Sequence, residues 1–123
     1  MSIKRSFAKL GFVAASATLA MTAWTAPAQA HPWAEWIGYG QPNTREGVGC
    51  FQDLFNDLWW KTGYHPIAED RLFGPDTDGA IRAFQHWKGL EADGIVGPQT
   101  GTALLNETNW GNGNGCDYYI PSY

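Results

Sequence analysis

Apolar side chains fall at Val48, Phe51, Phe55 and Leu58, the alternating three- and four-residue spacing of one helix face. Asp53, Asp57 and Lys61 recur every four residues on another face, which predicts a solvent-facing strip with Asp57 and Lys61 paired. Gly63 marks the end of this first helix, because glycine takes the left-handed conformation past a last turn, and Tyr64 is placed to fold back onto it. A second stripe, Thr77, Ala80, Ile81 and Phe84, follows Gly74-Pro75 and closes at Gly89. A third, Thr100, Ala103 and Leu104, follows Gly97-Pro98 at the same offsets. Proline suits a first helical position, where its missing N–H would be unpaired anyway. Three helices are expected.

The second and third helices are launched by one loop written twice. Residues 70 to 77 read DRLFGPDT and residues 93 to 100 read DGIVGPQT, with Asp, Gly, Pro and Thr in register. The repeated unit is loop plus helix start, and Phe73 and Val96 are expected to plug the core beneath the glycines. Arg71 and Gly94 differ at equivalent places. Where the second helix has Phe84 the third has Glu107, so the third should be short. Residues 31 to 47 and 106 to 123 show no helical period, being aromatic and rich in Gly with Pro or Asn.

The first thirty residues belong to a different class. Lys4, Arg5 and Lys9 precede an Ala-rich apolar stretch, and APAQA supplies a small-x-small cleavage pattern ending at Ala30. This reads as a signal peptide, and it implies a secreted protein held outside the membrane after cleavage. Its removal leaves five basic against twelve acidic residues, a formal charge of −7. Such a surface repels a phosphate backbone, so nucleic acid is not an expected partner. The remaining 93 residues make one small domain near the lower limit for a self-sufficient core. Cys50 and Cys116 allow one intramolecular disulfide, which would fold the tail back over the first helix. A two-cysteine metal site is the competing reading, but no Cys-x-x-Cys or His-x-x-x-His spacing accompanies it.

The ordered set Val48-x-x-Phe51-Gln52-x-x-Phe55, Gly63-Tyr64, DRLFGPDT, Ala80-Ile81-x-x-Phe84-Gln85, Gly89-Leu90 and DGIVGPQT with Ala103-Leu104 resembles the small three-helix peptidoglycan-binding domain. The expected architecture is therefore mainly α: a three-helix bundle over residues 48 to 105, closed by one disulfide. Irregular aromatic arms flank it at 31 to 47 and 106 to 123. The resemblance implies a recognition module for bacterial cell-wall glycan or stem peptide, without catalytic residues or cofactor, and the disulfide-closed mature form is expected to be a monomer. A protein-interaction module on the same scaffold is the alternative, and a small wall-lytic enzyme a third.

Sugar rings dock on aromatic faces, which makes Trp60 and Trp87, outside the core stripes, candidate platforms; burial under the arms is their other fate. Gln52 and Gln85 sit at the family's Gln positions, open to either a loop hydrogen bond or a ligand contact. Asp70, Arg71, Asp93 and Thr100 read first as loop-bonding residues, and Asp70 is also a candidate for ligand contact. Arg71 is the first choice for a stem-peptide carboxylate, because guanidinium meets carboxylate in a two-point fork. Catalytic signals are thin. Ser122 is the only serine after Ala30 and no His-Glu-x-x-His occurs. His31 would become the amino terminus, where amine and imidazole together can chelate copper, with no other feature in support.

Overall fold

The computed structural model describes residues 31–123; the expected signal peptide lies outside the described residues. The chain forms α1 (Arg45–Asn56), α2 (Trp59–Thr62), α3 (Pro75–Trp87) and α4 (Pro98–Glu107), followed by two 3₁₀ turns, Gly111–Gly113 and Cys116–Tyr118. No strand occurs among the described residues, only an antiparallel bridge between Ile37 and Val96.

The first helix starts earlier than the apolar stripe, because Thr44 caps it by accepting from the Gly47 N–H at 3.0 Å. It also ends earlier. The Asp57 and Leu58 N–H groups turn back to carbonyls three residues away, Leu54 and Phe55, and Leu58 leaves the helical region. This tightened end releases a separate single turn, α2, which packs on α3 and closes at Gly63 in the left-handed conformation. The expected Asp57–Lys61 pair is lost with the helix that would have aligned it. Lys61 lies instead 3.8 Å from Glu107, and Asp57 accepts from the Asn112 side chain. Tyr64 packs its ring edge on Phe55, with centroids 6.1 Å apart.

Helices α3 and α4 begin alike, with an extended glycine and then proline at the first position. They bury Thr77, Ala80, Ile81 and Phe84 on one side, and Thr100, Leu104 and Leu105 on the other. These close on Val48, Phe51, Leu54 and Phe55 of α1, all fully buried. Val96 is fully buried beneath its loop, but Phe73 is only half-buried and rests edge-on against Tyr39 at 4.9 Å. The difference follows from the arm, which bridges Val96 through Ile37 and offers the first loop no such backbone cover.

Both arms complete the core. Ile37 and Ile120 are fully buried in it. The tail backbone crosses α4 so closely that a Cβ at Gly101 would stand 1.7 Å from the Pro121 carbonyl oxygen. Cys50 and Cys116 are joined, with 5.4 Å between their Cα atoms.

Candidate functional site

The two loops are held by one device used twice. Gln52 on α1 is 1% exposed, and its Nε2 lies 3.1 Å from each of Asp70 Oδ1, the Leu72 carbonyl and Thr77 Oγ1. Its Oε1 accepts the Arg71 N–H at 2.8 Å. Gln85 on α3 repeats this toward Asp93 Oδ1, the Ile95 carbonyl and Thr100 Oγ1, while accepting the Gly94 N–H at 2.9 Å. An amide has two N–H groups and one carbonyl oxygen, and here every one is engaged inside the protein. A ligand contact by either glutamine would require breaking that clasp. Asp70 is exposed but committed to the same clasp: the Leu72 N–H first, then Gln52, hold its carboxyl below the ordinary value.

Arg71 is placed differently. Its backbone is left-handed at φ 63°, matching Gly94 at 76°, although left-handed backbone disfavours any residue with a Cβ. The side chain then runs along α1 over Gly49, where a Cβ would come within 2.9 Å of Arg71 Cγ. The exposed guanidinium makes no hydrogen bond or ion pair among the described residues. It lines a cleft of about 550 Å³ together with Glu46, Gly49, Cys50, Asp53, Glu69, Asn114, Gly115, Cys116 and Tyr119. One wall is α1, the second is the first loop, and the third is the tail that the disulfide holds down.

The cleft is negative. Arg71 faces three carboxylates, of Glu46, Asp53 and Glu69. Asp53 is pushed above the usual carboxylate value by burial first, then by repulsion from Glu69 and Asp57. Asn114 Nδ2 donates to it at 2.8 Å, and Asn56 Nδ2 donates to Glu69 at 2.9 Å. Each acid keeps a further oxygen free of protein donors among the described residues. A narrower groove adjoins the cleft, sharing Glu46 and Tyr119 with it and adding Trp33, Glu35 and Tyr118.

Of the residues that the sequence offers for ligand contact, only Arg71 lines the main cleft, beside the Cys50–Cys116 disulfide. Trp60 is 63% exposed and stands elsewhere, with Lys61 Nζ 5.4 Å from its ring. Trp87 packs its ring edge on Phe84, and ammonium groups of Lys61 and Lys88 sit over it at 5.8 and 4.9 Å. Its face is already occupied. The sequence places Asp53 on a solvent-facing strip, and it marks neither Asp53, Glu46 nor Glu69 for ligand contact. The available signal was the spacing Glu46, Gly49, Cys50, Asp53, which puts two acids, a bare glycine and a cysteine on one helix face. His31 lies between Trp33 and Tyr118, with Nε2 3.7 Å from Asp117. Among the described residues no three His, Cys, Asp or Glu side chains gather to hold a metal, and no helix is long and apolar enough to cross a membrane.

Comparison with known proteins bears on the clasped loops, since both lie inside the matched segment. Residues 52–104 match the family described as "Putative peptidoglycan binding domain". An uncharacterized protein in the bpoA1 3' region of Kitasatospora aureofaciens is 36% identical over 72 residues, which cover 58% of each chain. The chain thus spans little more than half the length of that relative. No solved structure matches. Helix α1 from Gln52 onward, both clasped loops, α3 and most of α4 are therefore the part of the chain that is similar to that family.

Proposed function

We propose that this protein is exported and binds the peptidoglycan of a bacterial wall without catalysis, through the cleft at Arg71. The observation that carries the site is the contrast between Arg71 and Gly94. A loop needed only for turning has no use for a long cation in left-handed backbone, yet here the cation lines a cleft of about 550 Å³ with no ion-pair partner among the described residues. Guanidinium is suited to a carboxylate in two-point geometry, and stem peptides carry free carboxylates. Export is supported by the disulfide, since such bonds persist in oxidising compartments. The adjoining groove of Trp33, Tyr118 and Tyr119 is suited to a sugar ring, because aromatic faces pack against the apolar faces of sugars.

Retention of the protein on purified insoluble peptidoglycan, competed by soluble muropeptides, tests the reading. Arg71→Ala should weaken retention by about 1.5 to 3 kcal/mol, the range of a charged hydrogen bond. It should leave stability within about 0.5 kcal/mol, as surface changes do, because alanine inherits the same backbone strain. Undiminished retention of the variant, or its unfolding, would remove Arg71 from the site. A wild-type protein that wall does not retain would favour the interaction-module reading, served by the exposed aromatics.

A further inference from the structure

We propose that the Arg71 cleft selects a zwitterion: a ligand end carrying a free ammonium beside a free carboxylate, as an unlinked diamino-acid side chain in a stem peptide does. The inference rests on the wall-binding reading and deepens it.

A ligand offering only a carboxylate gains the Arg71 guanidinium but enters a cleft that also presents Glu46, Asp53 and Glu69. Charges of one sign lining a cleft repel a ligand of that sign, and the whole described chain is acidic. A ligand offering only an ammonium gains the acids and meets Arg71. A group with both charges a few ångströms apart satisfies both sides at once. The protein does not neutralise the cleft internally: Arg71 is in no ion pair among the described residues. Asp53 and Glu69 have only neutral asparagine donors, Asn114 and Asn56. Asp53 is half-buried, and its carboxyl is held above the usual value by that burial first and then by repulsion from Glu69 and Asp57. An ammonium offsets that repulsion.

The cleft extends beyond the segment that matches the family model. Glu46 precedes the matched segment and Asn114 follows it, while Asp53 and Glu69 lie within. Selection of this kind would distinguish unlinked from cross-linked wall, because cross-linking through the amine consumes the ammonium.

The test is calorimetric titration of the disulfide-intact protein. The probes are a synthetic stem tripeptide ending in a diamino acid with free side-chain amine and carboxylate, the same peptide N-acetylated on that amine, and the same peptide amidated on that carboxylate. Either masking should weaken binding by at least about tenfold, the low end for a charged hydrogen bond. Asp53→Asn should erase the preference for the free amine, and Arg71→Ala the preference for the free carboxylate, with unchanged melting midpoints. Equal affinity for the free and acetylated peptides, with Arg71-dependent retention on whole wall intact, overturns the zwitterion and spares wall binding. Loss of wall retention as well overturns both. Calcium alone binding through Asp53 would make the cleft a cation site and overturn the zwitterion too.

Discussion

Arg71 and Gly94 hold the same left-handed place in two loops, at φ 63° and 76°. Only glycine takes that conformation without steric cost, about 1 to 2 kcal/mol for other residues. Arg71→Gly should therefore raise stability by about 0.5 to 1 kcal/mol, part of the relief being offset by the added freedom of the unfolded chain. The same variant should lose wall binding, and thermal melting with wall retention reads both. A variant that gains stability and keeps full binding would place the function elsewhere. At Gly94 the reverse holds. A Cβ there would meet Asp78 Oδ1 at 2.6 Å and Arg82 Nη2 at 2.9 Å, in backbone that already disfavours it. Gly94→Val should cost about 2 to 3 kcal/mol in chemical denaturation. A loss below about 0.5 kcal/mol, as at an ordinary surface position, would contradict this.

At the scale of elements, the two loop-helix units are built by equivalent parts rather than by packing alone. Each glutamine clasps the Asp, the backbone and the Thr of its own loop, so loop and helix fold as one piece. Gln85→Ala would strand the Gly94 N–H and the Ile95 carbonyl, and should cost about 2 to 4 kcal/mol in denaturant unfolding. Gln52→Ala should cost a similar amount, having the same set of bonds. A small loss at either site would mean that water replaces the clasp. The apolar stripes, the proline starts and the repeated loop were all legible, since each depends on residues within one or two turns. The break at Asp57 was not. It is written in two hydrogen bonds to carbonyls three residues back, a choice that packing of α2 onto α3 decides and local pattern does not. Phe73 likewise matched Val96 in sequence and differs in burial because only Val96 is covered by Ile37.

Across the whole molecule, the disulfide decides whether the cleft has a third wall. Cys50 and Cys116 are separated by 66 positions, and closing so long a loop stabilises by about 4 kcal/mol in the chain-entropy model. Cys50→Ser should lower stability by about 2 to 5 kcal/mol, as measured by calorimetric melting. It should also free Asn114 and Tyr119 from the cleft and so weaken ligand binding beyond the stability loss. A negligible shift of the midpoint would show that Ile120 and the backbone crossing at Gly101 hold the tail unaided.

Helical periodicity, the start of two helices from like loops, and the pair of cysteines free to join are all readable along the chain. Those features rest on side-chain periodicity and backbone preference, which act between near neighbours. That Gln52 and Gln85 are clasps, that lysines cover Trp87, and that Arg71 shares a cleft with three acids emerges only once the chain is folded. Each of those depends on groups brought together from far apart, as Asn114 is brought to Asp53 across 61 positions. Charge and burial at a site are sums over everything folded against it, and no local pattern carries that sum.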